Sequence, residues 1–136
     1  MTEVRTAREI FEDFQRAVLS GEHGLLSGEG CAEDVVVEWP FARPGSPKRI
    51  VGRGAFEEFA RAGAAALPVR FDEFRDVVVH ETADGTIVVE YEMVATSLVT
   101  GVQHAAPFVM ILKTENGKIV LCREYQNPLA LDAVRA

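Results

Sequence analysis

Positive charge is in short supply in this chain. Lys and Arg number 14 against 21 Asp and Glu, a formal net charge of −7. Phosphate backbones are bound by clustered cations, so neither DNA nor RNA is an expected partner. Long apolar runs are also missing. No stretch reaches the roughly 20 residues that a membrane-spanning helix needs. The first residues, Met1-Thr2-Glu3-Val4-Arg5-Thr6, carry no signal-peptide pattern. The expectation is a cytoplasmic protein with no membrane partner. Cysteine is limited to Cys31 and Cys122, which have no metal-binding or redox spacing. One disulfide between them is an option, and two reduced thiols in a cytoplasmic protein is the simpler reading. No nucleotide or metal motif, internal repeat, low-complexity segment or linker is present. One domain over residues 1–136, with no metal and no cofactor, is therefore expected. Hydrophobic residues make up 48% of the chain, enough for a full core and too many for disorder.

What the chain does have is a long, alternating C-terminal strand. Gly117-Lys118-Ile119-Val120-Leu121-Cys122-Arg123-Glu124-Tyr125-Gln126-Asn127-Pro128 starts at an Asn-Gly turn and stops at a proline. Alternation puts Val120, Cys122 and Glu124 on one face and Leu121, Arg123 and Tyr125 on the other. A carboxylate thus continues an apolar face. One reading is a solvated strand end where Glu124 pairs with an Arg. The other is a carboxylate at the mouth of an apolar pocket, with a pKa raised for proton transfer.

The elements before it follow in order. Thr6-Ala7-Arg8-Glu9 is a capping box, and Ile10, Phe11, Phe14 and Val18 then recur at helical spacing, which predicts a helix over 7–20. A short helix is expected within 22–34. A strand follows over 35–39, ended or kinked by Pro40. The proline-rich segment Phe41 to Pro47 reads as a loop. Gly52 precedes a helix carrying Phe56, Phe59, Ala60 and Gly63, which stops at Leu67-Pro68. Strands are expected over 69–81, 86–97 and 102–113, joined by turns at Ala83-Asp84-Gly85 and Thr100-Gly101. The tail, 129–135, reads as a short helix or arm. Helices first and long hairpin strands later make this an α+β fold: a curved, mainly antiparallel sheet wrapped around the N-terminal helices. A strongly twisted sheet closed by helices forms a cone around a small-ligand pocket.

This layout resembles the ketosteroid-isomerase-like, or nuclear-transport-factor-2-like, superfamily over essentially the whole chain. Within it, Glu115-Asn116-Gly117-Lys118-Ile119 and Arg123-Glu124-Tyr125-Gln126-Asn127-Pro128 are most similar to the SnoaL-like branch, and there to the PhzA/PhzB family of phenazine biosynthesis. The Gly52-Arg53 turn and the Trp39-Pro40 strand end are similar too. In the PhzA/PhzB family the Glu of the Arg-Glu-aromatic motif is an acid–base residue, a role that the resemblance gives to Glu124. Limonene epoxide hydrolases place an Asp at that point. Other positions depart from these relatives. The base of ketosteroid isomerase falls at Trp39 and its oxyanion donors fall near Phe14 and Val109, so steroid isomerisation is not expected. The PhzA/PhzB histidine falls at Phe59. The epoxide hydrolase Arg falls near Glu90 and its Asp partner near Glu92, leaving no cation between the carboxylates.

Two function classes follow. The first is an acid–base enzyme of the isomerase, cyclase or dehydratase type, acting on a hydrophobic carbocyclic, aromatic or polyketide-like molecule. Glu124 transfers the proton, and His104 or Glu92 orients the substrate or stabilises charge. Trp39, Phe14, Phe59, Glu90, Tyr91 and Cys122 line the substrate pocket. The second is a non-catalytic ligand-binding or dimeric scaffold of the same fold. An epoxide-hydrolase-like activity is a further alternative. Apolar residues on both faces of the late strands lead to the expectation of a homodimer through the sheet.

Overall fold

A computed structural model describes residues 4–21 and 30–135. Helix α1 (Ala7–Leu19) starts at the capping box. The Glu9 amide donates to Thr6 Oγ1 at 3.2 Å, and the Thr6 amide donates to Glu9 Oε1 at 3.1 Å. Its apolar stripe, Ile10, Phe11, Phe14 and Val18, is buried. There follow β1 (Cys31–Glu38), β2 (Arg49–Val51), α2 (Arg53–Ala66), β3 (Val69–Glu81), β4 (Ile87–Ser97), β5 (Gln103–Glu115), β6 (Lys118–Gln126) and α3 (Pro128–Arg135).

All six strands join one sheet in the order β2-β1-β6-β5-β4-β3. The four long strands form the expected antiparallel meander. Strand β1 adds to β6 in parallel, and β2 pairs antiparallel outside it. The sheet stays open, with β2 and β3 as its edges. Helix α1 packs against β3 and β5, and α2 against β1 and β2. The fold is therefore α+β, with one core between helices and sheet. No helix among the described residues is long and apolar enough to cross a membrane.

Several local expectations change. The strand expected over 35–39 starts at Cys31 and ends at Glu38. Cys31 to Asp34 are thus strand and not the end of a short helix; residues 22–29 of that segment lie outside the described residues. The short β2 follows the expected loop, in a stretch for which no element was expected, and its pairing with Val36, Val37 and Glu38 holds it extended. Glycine at position 52, with φ of 104°, turns the chain from β2 into α2 in a conformation that L side chains avoid.

The C-terminal strand is not a simple alternation. Between Lys113↔Leu121 and Thr114↔Ile119 the pairing slips by one residue, leaving Val120 as a bulge. Ile119 thereby joins the core, fully buried, and Val120 does not. Strand β3 slips twice, after Phe71 and after Arg75. Its core-facing rings, Phe71 and Phe74, are consequently three residues apart instead of two. Bulges increase bend and twist, which wraps the meander around α1. Both cysteines are buried and form no disulfide with each other. Parallel register explains why: Cys31 lies opposite Ile119, and Cys122 opposite Val37, further along the strands.

The bulge is testable by truncation. Ile119→Ala should destabilise the protein by about 2–5 kcal/mol, as for a fully buried aliphatic side chain. Val120→Ala should cost roughly 1 kcal/mol or less, although strict alternation ranks the two the other way. Urea denaturation of both variants decides the order.

Candidate functional site

Strand register assembles the site. In the parallel pair, Val37 lies opposite Cys122 and Glu38 opposite Arg123. One step further, just past the end of β1, Trp39 comes beside Glu124. On the other side of β6, Met110 is the partner of Glu124. Phe14 from α1 and Phe56 from α2 close over them. Together Phe14, Val37, Trp39, Phe56, Met110, Cys122 and Glu124 line a cavity of about 20 Å³. A water requires roughly 10–15 Å³ measured this way, so the void holds one water and no organic ring.

Glu124 carries the only carboxyl in that lining. Burial pushes its pKa above the ordinary value. One hydrogen bond opposes the shift: the Gln126 side-chain amide donates to Glu124 Oε1 at 2.6 Å. Among the described residues no cation pairs with Glu124. The adjacent Arg123 points to the other face, where its Nε and Nη2 donate to Glu38 Oε1 at 3.0 and 2.9 Å. The solvated carboxylate–arginine pair that the motif allows is thus made by Glu38.

Neighbouring groups respond to the same surroundings. The Cys122 thiol is pushed well up, by burial first and then by the charges of Glu124 and Cys31. Burial likewise raises Cys31, to about 11. Both remain thiols at neutral pH and are poor nucleophiles. The Tyr91 phenol is raised by burial and then by the charge of Glu124.

Of the residues expected in the pocket, Phe14, Trp39, Cys122 and Glu124 come together. Phe59 stands at the margin, 38% exposed, with its ring 5.0 Å from that of Trp39. Tyr91 is inside, but it packs with Phe11, Phe74 and Phe108 and does not line the cavity. The structure does not bring Glu90 and Glu92 to Glu124. Alternation along β4 turns Tyr91 and Met93 to the core, so the two carboxylates lie on the outer face. There Arg75 Nη2 donates to Glu92 Oε2 at 2.6 Å, and His80 Nε2 lies 2.7 Å from Glu90 Oε2. With Asp76, Pro107 and Val109 they rim an outer groove of about 250 Å³. His104 is also distant. It shares the face of Ala106, Phe108 and Met110 on β5, but Met110 is six residues on, about 20 Å along an extended strand.

Val37, Met110, Phe56 and Gln126 were not singled out by sequence reasoning. Gln126 had a signal, because it lies two residues beyond Glu124 on the same face. The roles of Val37 and Met110 depend on strand pairing, which no local pattern reveals.

Residues 27–122 match the SnoaL-like domain family, a span that stops just short of Glu124. The uncharacterised protein YesE of Bacillus subtilis is 30% identical over 132 residues, covering 96% of this chain and 88% of that one. An uncharacterised PhzA/B-like protein of Pseudomonas aeruginosa is 35% identical over 95 residues. That alignment covers 69% of this chain and 65% of the relative, a little under two thirds of its length. Among solved structures, one named as a candidate isomerase from Bacillus subtilis superposes with a TM-score of 0.83 at 27% identity, covering 95% of this chain and 91% of that one.

The half-buried carboxyl carries a pH signature. Its folded pKa is raised, so the folded state holds the proton more tightly than the unfolded state. The charge penalty is absent below the unfolded pKa of about 4.3, grows as pH rises to the folded value and is constant above it. Glu124→Gln keeps the shape without the charge. Its melting temperature should match or exceed that of the parent at pH 7, and this advantage should vanish at low pH. Melting curves across pH check it, and a loss of stability at pH 7 contradicts it.

Proposed function

The chain belongs to the SnoaL-like domain family, and on that premise we propose that it is a cofactor-independent acid–base enzyme of the isomerase, cyclase or dehydratase type. Its substrate is a small hydrophobic molecule, carbocyclic, aromatic or polyketide-like. The observation that carries this reading is a carboxyl with no cationic partner in an otherwise apolar lining. A structural carboxylate gains stability from an ion pair, whereas a raised carboxyl loses stability at neutral pH and suits proton transfer. Glu124 takes a proton from one substrate atom and returns it to another, so the net reaction needs no oxidant or metal. The rings of Phe14, Trp39 and Phe56 provide apolar contact for a planar substrate. His104 and Glu92 have no part in this version, since neither lies near the cavity.

The size of the void favours a second reading. A space for one water is small for an enzyme pocket and is compatible with a non-catalytic scaffold. The epoxide-hydrolase alternative has least support, because Glu90 and Glu92 are on the outer face, paired with His80 and Arg75.

Thermal-shift screening of aromatic and polyketide ligands, followed by turnover assays on the hits, tests the choice. Glu124→Gln should lower turnover by roughly 10²–10⁴-fold, the range for a general acid–base group. Ligand affinity should stay nearly unchanged. Equal turnover in the variant sinks the enzyme reading.

The protein is further proposed to be a homodimer through the outer sheet face. Val109, Ile111, Leu121 and Tyr125 are half-buried there, and Val78 is exposed. Covering such apolar groups is the usual reason for sheet-to-sheet association. Sedimentation at micromolar concentration should show a dimer; a monomer contradicts it.

A further inference from the structure

One side-chain hydrogen bond holds the Glu124 carboxyl. Gln126 is the last residue of β6 and half-buried. Its amide donates to Glu124 Oε1 at 2.6 Å, the only hydrogen bond to that carboxyl among the described residues. The partner of Glu124 on β5 is Met110, and the partner of Gln126 is Phe108, so β5 offers no side-chain amide or cation to the carboxyl.

We propose that Gln126 is a positioning residue: its amide holds Oε1 of Glu124 and leaves Oε2 as the working atom, with the resting carboxyl a proton acceptor. This deepens the acid–base reading above and rests on it for the chemistry. A carboxylate oxygen can only accept, so the amide must present its NH2 group. A hydrogen bond to a charged acceptor is roughly twice as strong as a neutral one, and it therefore favours the ionised form. No cation shares that task. The titratable groups facing Glu124 are the Tyr91 phenol from β4 and the Cys122 thiol on β6 itself, both neutral at pH 7. From α1, α2, β1 and β5 the neighbours are Phe14, Phe56, Trp39 and Met110. In an apolar chamber, the side-chain amide is then the one group that keeps a base available.

The substrate class follows from the direction of transfer. A resting base takes a proton, so the substrate presents an acidic C–H or O–H, such as a C–H beside a carbonyl. The C–H pair passes to the carbonyl oxygen as an enolate while Oε2 gains the proton. Return of that proton at a second carbon restores the carboxylate, and the reaction balances as an isomerisation. Substrates that must first be protonated, such as epoxides, fit the site poorly.

The test needs no substrate. The Glu124 carboxyl carbon, assigned by its disappearance in Glu124→Gln, is titrated by NMR in the parent, in Gln126→Leu and in Gln126→Asn. Leu removes the donor, and Asn keeps polarity but falls short of Oε1. In both, the midpoint should move to higher pH than in the parent. An unchanged or lower midpoint overturns the proposal, and so does lower melting temperature with no change of midpoint, which marks Gln126 as structural only. Asn decides the case if the Leu variant does not fold. Because turnover is not read, failure here leaves the role of Glu124 standing. Conversely, loss of that role by the Glu124→Gln assay leaves the measured contact intact.

Discussion

The parallel pairing of β1 with β6 is the contact on which the chamber depends. The antiparallel meander alone ends at β6, and an edge strand presents its side chains and its unpaired backbone to water. Glu124 on such an edge is an ordinary solvated carboxylate. Adding β1 converts that edge to an interior strand and sets Val37 beside Cys122. Trp39, one residue past the strand, then shields Glu124 from the side, and Phe56 of α2 arrives with the chain that follows. Even the short β2 serves this end, since it pairs with the final residues of β1 and holds them extended up to Trp39. The Trp39 amide donates to the Lys48 carbonyl at 2.9 Å, which fixes the ring's point of departure.

Two neighbouring carboxylates show what this arrangement decides. Glu38 and Glu124 sit one register step apart on paired strands, and the chain supplies a cation, Arg123, between them in sequence. Because alternate residues face opposite sides, Arg123 is given to Glu38 on the outer face, with Arg49 also nearby at 3.9 Å. Glu124 receives a neutral amide instead. Burial in that setting raises a carboxyl pKa, while the same residue type a few ångströms away gains a guanidinium. The difference between an ion-paired and an amide-bonded carboxyl here comes from strand parity, with no difference in residue type.

Parity is also what made the chain readable, and its limits explain what was not. Strong local signals held: the capping box, the stripe of α1, the Gly-containing turns and the order of the four long strands. Alternation placed Cys122 and Glu124 on one face, and both line the cavity. Three things resisted. Cys31 pairs with Ile119 of β6, while Ala32-Glu33-Asp34, with no apolar alternation of its own, falls where that pairing is interrupted. Bulges at Val120 and along β3 insert single residues that shift the parity of everything beyond them, without a composition that marks them. Finally, alternation says that Glu90 and Glu92 share a face but not which face is the core. Tyr91 and Met93, larger and apolar, take the inside, which leaves the carboxylates to Arg75 and His80. His104 shows the matching limit along the strand axis: it has the right parity and the wrong rung.

The chamber's walls differ in what holds them, and that bears on how a ring-sized molecule enters a void of about 20 Å³. Cys122, Val37 and Met110 are fixed by the sheet ladder on both sides. Phe14 is held by T-shaped contact with Phe74 and by Phe11. Moving any of these breaks close packing that costs several kcal/mol to disrupt. The remaining wall is the tilted cluster of Trp39 with Phe56 and Phe59. Phe59 is already partly in water, and Trp39 lies one residue past β1 at the start of a proline-containing turn. A planar ligand that slides between these rings replaces aromatic contact with aromatic contact, so the cost of opening is offset by the same kind of surface it removes.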